Sequence, residues 1–248
     1  MAEGNKLPRV DAAFWVMKIA ATTLGETAGD LMSMTLGVGY AASSITLVSV
    51  FVVAVALQLA SRVYRPPIYW LTILATSTAG TTMSDYMDRT LGLGYTKGAS
   101  LLLAALLVVL GVWRLATGSL SVDRVTNRRA EGFYWAAILV SNTLGTALGD
   151  FLADDSGLGF LGGALVIGGA LAVVLVLTFA TNLSRVALFW IAFVLTRPFG
   201  ATVGDVLTKG PDKGGLGFGT VGASAILAAL LILFVARATW LERRRLRS

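Results

Sequence analysis

Two kinds of apolar run alternate along the chain. One kind is almost purely aliphatic, as in the stretches from Ile45 to Leu57 and from Leu101 to Leu110. The other is broken by hydroxyls, amides and charges: Lys18, Thr22, Thr23, Glu26 and Asp30; Thr76, Ser77, Thr78 and Asp85; Ser141, Asn142, Thr143 and Asp150; Thr196, Arg197 and Asp205. A helix that crosses bilayer hydrocarbon takes about 20 predominantly apolar residues. The pattern predicts eight such helices, the polar-studded kind near residues 12–34, 67–87, 132–152 and 187–207 and the aliphatic kind near 40–61, 95–116, 160–181 and 218–239. Polar groups at membrane depth face protein or water, so the polar-studded helices are expected to line the centre and the aliphatic ones to face lipid.

The alternation is a repeat. Phe14–Trp15 leads to Gly25-Glu-Thr-Ala-Gly-Asp30, Tyr69–Trp70 to Gly80-Thr-Thr-Met-Ser-Asp85, Tyr134–Trp135 to Gly145-Thr-Ala-Leu-Gly-Asp150, and Phe189–Trp190 to Gly200-Ala-Thr-Val-Gly-Asp205, always with 15 residues from Trp to Asp. A Gly-x-Gly-aromatic signature follows each: Gly37 to Tyr40, Gly92 to Tyr95, Gly157 to Phe160 and Gly215 to Phe218. Self-similarity at a fixed period marks a repeat architecture. We read repeats over 12–61, 67–116, 132–181 and 187–239, with a polar linker over 117–131, all within one transmembrane domain over 1–248. The signature Asp residues are 55, 65 and 55 apart, which makes two halves of two repeats. Two spans per repeat put every repeat into the membrane in the same direction, so the fold class is all-α: four parallel two-helix repeats about a pseudo-symmetry axis along the membrane normal.

Composition agrees: 56% of the 248 residues are hydrophobic and 14% charged, against about 25% charged in soluble domains. No cleavable signal peptide is recognisable before the first run, which is expected to act as its own insertion signal. The net charge of +6 does not point to nucleic acid, because the basic residues sit at span ends. Lys6, Arg9, Arg62, Arg65, Arg114, Arg124, Arg128, Arg129, Arg185, Arg237, Arg243, Arg244, Arg245 and Arg247 fall on one side, and Arg89, Lys97, Lys209 and Lys213 on the other, 14 against 4. The positive-inside rule then makes both termini cytoplasmic, with the Asp residues toward the outer side and each aromatic–Trp pair in an aromatic belt at the inner interface. Lys18, one turn in, is expected to snorkel.

The chain resembles a bacterial membrane-protein family built from four tandem copies of the domain-of-unknown-function 347 repeat, each a pair of transmembrane segments with a Trp. The resemblance rests on Trp15, Trp70, Trp135 and Trp190 and the Gly/Asp signatures behind them, over residues 12 to 239. It implies a multi-pass protein of the bacterial inner membrane and supplies no activity. Glu26-Thr-Ala-Gly-Asp30 also resembles the Glu-x-Gly-Asp motif of a cation/proton exchanger family, with one extra residue between Glu and Gly.

The absence of Cys and His removes disulfides, thiolates, most zinc sites and the commonest catalytic base. No catalytic residue and no cofactor is expected, although paired carboxylates could hydrolyse a substrate. The candidate cation or proton site is Glu26 with the ring Asp30, Asp85, Asp150 and Asp205, and Glu26 with Asp30 are the candidate metal ligands. A Trp at one interface puts its Asp about 22 Å further on, roughly two-thirds of the way across the hydrocarbon. The ring also has a plainer reading, in which each Asp ends its helix and bonds the backbone of the turn that follows. Glu26 breaks the symmetry, with Thr81, Thr146 and Ala201 at its place in the other repeats. Arg197 and Asn142 break it one turn lower, where repeats 1 and 2 have Thr22 and Ser77. These four are candidates for a substrate pathway or a counter-ion, and a permanent Arg197–Glu26 pair would lock repeats 1 and 4 together. The pairs Gly25/Gly29, Gly80/Ser84, Gly145/Gly149 and Gly200/Gly204 are expected to let backbones approach closely. Thr35-Leu-Gly-Val-Gly-Tyr40 resembles a potassium-channel filter, but Gly-rich hairpin turns explain it better.

The expected function is secondary transport of a small hard cation, possible proton coupling included, because oxygen donors without Cys or His favour H+, Na+, Mg2+, Ca2+ or Mn2+. The partners expected are the lipid bilayer and a small inorganic ion, with no nucleic acid. A non-transporting membrane scaffold or partner subunit is one alternative, and an anion channel or carrier centred on Arg197 another. A cavity that reaches Glu26 would favour transport, and a dry, fully paired core would favour the scaffold.

Overall fold

The computed structural model describes residues 7–122, 125 and 127–245, and all the regular structure among them is helical. Lys6, Arg124 and Arg247 of the charge comparison lie outside the described residues, as do the side chains of Lys213 and Arg245. Eight long helices are arranged as repeats: α1 (Ala12–Asp30), α2 (Tyr40–Ala60), α3 (Pro66–Asp85), α4 (Tyr95–Thr117), α5 (Arg128–Asp150), α6 (Gly159–Ala180), α7 (Arg185–Thr208) and α8 (Gly219–Arg245).

Each inner helix starts on a local signal. Asp11 accepts from the Phe14 amide at 2.9 Å and Asn127 from the Ala130 amide at 2.8 Å, Ser184 caps α7, and Pro66 opens α3. The three side chains occupy amides that have no partner within the helix, and the proline removes one such donor. In repeats 1–3 the α-helix ends on the signature Asp and widens into one π turn, Leu31–Thr35, Tyr86–Thr90 and Phe151–Asp155. Glycines with positive φ then reverse the chain, at Gly37 and Gly39, Gly92 and Gly94, and Gly157 and Gly159. Repeat 4 departs from the expected signature: its positive-φ pair is Gly217 and Gly219, with Gly215 outside the pair, because the insertion around Pro211–Lys213 forms a short 3₁₀ turn and shifts the register. These stretches are largely exposed turns between helices.

α1, α3, α5 and α7 form a closed ring in which each packs against two others: α1 on α3, α3 on α5, α5 on α7 and α7 on α1. The small residues make this possible, and the same contact is made by each repeat in turn. A Cβ on Gly25 would meet Ser77, on Gly80 the backbone of Asn142, on Gly145 the Arg197 stem, and on Gly200 Thr22. Gly80→Ala is therefore expected to destabilise the protein by about 1–3 kcal/mol, because its Cβ would lie 2.9 Å from backbone atoms of Asn142 and Thr143. Gly111→Ala on α4, where a Cβ meets nothing within 4 Å, is the control and should leave the thermal unfolding temperature unchanged or raised.

The outer helices pack mainly on an inner helix of another repeat, with lesser contacts of α8 on α7 and α6 on α5 within their own repeats. α2 lies against α3, α4 against α5, α6 against α7, and α8 against α1. The unit is thus an interlocked ring, in which each second helix packs chiefly on a neighbouring repeat. Six helices are long and apolar enough to cross a membrane by length and composition, namely α2, α4, α6, α8, α7 and α5 with its π turn. α1 and α3 are not among them: α1 carries Lys18, Glu26 and Asp30, and α3 is rich in hydroxyls, on surfaces buried inside the ring.

The aromatic pairs correct a second expectation. Phe14, Tyr69, Trp70, Tyr134, Trp135 and Trp190 are buried and do not form a belt facing outward. Phe14 packs on Trp70, Trp15 on Phe189, Tyr69 on Trp135 and Tyr134 on Trp190, and the Tyr69 and Tyr134 hydroxyls meet at 2.6 Å. The side chains turn inward because the ring is narrow enough for neighbouring helices to share them. Part of the linker closes over this end, with Val122 and Val125 buried and the Leu120 carbonyl accepting from Trp190 Nε1 at 3.0 Å.

Candidate functional site

The inner helices stack polar side chains in layers about one turn apart, or roughly 6 Å for four residues. At one end of the ring are the four signature carboxylates. Among the described residues none of them accepts from the backbone of the following turn, as the plainer reading expected. Two cations hold them instead. Arg89 Nε lies 2.9 Å from Asp85 Oδ1 and Arg89 Nη2 3.4 Å from Asp150 Oδ2. Lys209 Nζ lies 2.9 Å from Asp30 Oδ2 and 3.2 Å from Asp205 Oδ1. Burial works against the Lys209 ammonium, but Asp205 and Asp30 more than offset it and hold its pKa well above the ordinary lysine value.

Both cations stand four residues after a signature Asp, so the helical periodicity brings each back to the same face. Sequence reasoning counted them only as outer-side charges. The signal that finds them is this position across the repeats, which reads Met34, Arg89, Asp154 and Lys209: repeats 2 and 4 carry the cations, and each serves its own repeat and the next one round the ring.

One turn deeper sits Glu26, level with Thr81, Thr146 and Ala201. Arg197 rises to it from the layer below, with Nη2 2.9 Å from Glu26 Oε2, 2.6 Å from Thr81 Oγ1 and 2.7 Å from Thr146 Oγ1. Arg197 has no exposed surface, and its Nε and Nη1 find no partner among the described residues. Below this, Asn142 donates to Thr76 Oγ1 at 2.8 Å, and Asn142 Oδ1 lies 3.5 Å from Lys18 Nζ. Lys18 does not snorkel. It is fully buried, with its ammonium 4.0 Å from the centre of the Phe193 ring, because it shares a layer with Ile73, Ile138 and Phe193 that points to the axis. Thr22 Oγ1 bonds the Lys18, Ile19 and Thr196 carbonyls. Ser77 offers its carbonyl to Arg197 Nη2 at 3.4 Å.

A cavity of about 400 Å3 opens at the acidic end. Six carboxylates line it (Glu26, Asp30, Asp85, Asp150, Asp154 and Asp205) against two cations, Arg89 and Lys209. The structure thus brings all five sequence-predicted carboxylates to one space, with Glu26 the deepest of the five along its helix. Thr22, Ser77, Asn142 and Arg197 lie on the axis beneath, off the cavity wall. Glu26, Asp30 and Asp205 form a cluster, with a ligand oxygen of each within 4.8 Å of the others. Asp30 Oδ1 and Asp85 Oδ2 are buried without a partner among the described residues. An unpaired buried oxygen is costly, and a bound cation is one way to satisfy it.

A family model described as a Repeat of Unknown Function (DUF347) matches the chain four times, over residues 13–64, 68–119, 133–184 and 188–244. None of the curated proteins and none of the solved structures matches it.

Proposed function

We propose, of a chain that belongs to the family of the Repeat of Unknown Function DUF347 and takes no activity from that membership, that it is a membrane carrier for a small hard cation. One observation carries this reading: a cavity with six carboxylates against two cations that reaches Glu26 inside the ring. An excess of buried negative charge attracts cations. A donor set of carboxylate and hydroxyl oxygens suits hard ions over copper or zinc.

In this reading all eight helices cross the bacterial inner membrane, with α1 and α3 shielded by their neighbours. The four repeats run parallel about an axis along the membrane normal. Arg9, Arg62, Arg65, Arg114, Arg128, Arg129, Arg185, Arg237, Arg243 and Arg244 cluster at the aromatic end, which the positive-inside rule makes cytoplasmic. The cavity then opens outward.

An arriving cation replaces the Lys209 ammonium between Asp30 and Asp205 and takes Glu26 as its innermost ligand. Beneath Glu26 the Arg197 bonds and then the aromatic layer close the axis, so release on the other side requires rearrangement. This favours alternating access over an open pore.

The paired Glu26–Arg197 core also fits a second reading, a scaffold that transports nothing. An anion path through Arg197 is disfavoured by the acidic cavity in front of it. Flux in proteoliposomes across Na+, K+, Mg2+, Ca2+ and Mn2+ with an internal pH dye separates these readings. One of these cations is expected to move, and Asp30→Asn should raise its apparent KM at least about tenfold, or about 1.4 kcal/mol. Silence across the panel and across chloride and nitrate would leave the scaffold.

A further inference from the structure

Lys18 is a buried cation whose nearest polar partner is neutral. Its ammonium has the Phe193 face at 4.0 Å and Asn142 Oδ1 at 3.5 Å, and no carboxylate lies within ion-pair distance among the described residues. Another cation, Arg197, stands one turn beyond Phe193 on α7. The remaining charge in this part of the core is Glu26, two turns along α1 and engaged by Arg197. At this level α3 offers Thr76 and Ser77 and α5 offers Asn142, all uncharged, and α8 meets α1 through Ser224 on Thr27. Beneath the layer of Asp30 and Asp205, which Lys209 holds, two cations thus stand against the single carboxylate Glu26.

Resting on the carrier reading, we propose that Lys18 is a proton-binding site that empties when a cation occupies Glu26. A cation on the Glu26 carboxylate neutralises the one negative charge that offsets Arg197. Two buried cations on adjacent layers are then left in a medium of low dielectric, where like charges repel strongly. Arginine keeps its proton under all protein conditions, whereas a buried lysine gives it up readily. Lys18 is the group that yields: one N–H bond of the ammonium breaks, the lone pair stays on Nζ, and the proton passes to solvent on the face the carrier then exposes. The core charge is the same before and after for a monovalent ion. Cation and proton thus exclude each other through Arg197, which relays the charge without changing protonation. This couples inward cation movement to outward proton movement, and the site lies off the cation's own ligand set.

The test uses the full chain in detergent at low buffer capacity, titrated with the cation that the flux panel identifies. Binding is read by calorimetry and proton release by an indicator dye. Wild type is expected to release about one proton per cation bound. Lys18→Met should still bind the cation, with its pH dependence lost and its proton release abolished. Lys18→Arg should also release none and should bind the cation at least about tenfold more weakly. Undiminished release in Lys18→Met, or cation binding by wild type without release, overturns the proposal while leaving the carrier reading intact. Wild type that binds no cation removes both.

Should neither variant fold, the 13Cε signal of Lys18 in wild-type protein, one of five lysines, answers the same question. It shifts to the neutral-amine position on cation addition if Lys18 is the site and stays at the ammonium position if it is not.

Discussion

Glu26→Gln is expected to reduce cation flux in proteoliposomes to the level of empty vesicles, while the protein still elutes as a single folded species. The amide keeps an oxygen for Arg197 Nη2, which also retains Thr81 Oγ1 and Thr146 Oγ1, so the ring stays closed at a lower thermal unfolding midpoint, the guanidinium having lost its counter-charge. What is lost is the charge that receives the ion from Asp30 and Asp205. A carboxylate inside a low-dielectric ring contributes far more to cation binding than an amide does. The effect should be a loss of maximal rate that no ion concentration restores, because Glu26 is the deepest ligand and the only one that touches Arg197. Asp205→Asn provides a check that leaves the core pair untouched. Its partner is Lys209, one quarter exposed, and its expected effect is a rise in KM with most of the rate kept. Wild-type flux in Glu26→Gln would remove the carboxylate mechanism and return the molecule to the scaffold reading.

Much of this site was legible in the repeats. A comparison of four quasi-equivalent positions picks out Glu26 against Thr81, Thr146 and Ala201, and Arg197 against Thr22, Ser77 and Asn142. The all-helical repeat and the inward polar surfaces follow from the apolar pattern alone. What was not legible depends on distances across the ring. Lys18 lies one turn from an expected interface, where a lysine ordinarily snorkels. Only the burial of Ile73, Ile138 and Phe193 in the same layer shows that this register points inward. The aromatic pairs misled for the same reason, since a belt and a plug have one sequence and differ in which way the helix is turned. Nor does the sequence of one repeat show that its second helix packs on the next repeat, as α2 does on α3. That packing leaves one seam, between repeats 4 and 1, with no chain connection across it.

That seam is where Arg197→Met should have its largest effect. Consecutive repeats are joined covalently, whereas repeats 4 and 1 meet through packing alone, α7 and α8 on α1 and α8 on the π turn that follows it. The polar contacts gather there: Arg197 with Glu26, Lys209 with Asp30, Thr22 with the Thr196 carbonyl, Ser224 with Thr27 and Thr35 with Thr220. Removing the guanidinium leaves Glu26 as an uncompensated buried charge, and breaking one side of a buried pair costs about 3–5 kcal/mol. The expected readout is a thermal unfolding midpoint in detergent well below wild type, with the ring opening first at α1–α7. Adding Glu26→Gln to Arg197→Met should recover most of the loss, because no buried charge is then left alone, although neither protein transports. A surface ion pair would show at most about 1 kcal/mol in the same cycle. A coupling that small would mean the ring is closed by packing alone, with the Glu26–Arg197 pair free to open in each transport cycle at little cost to the fold.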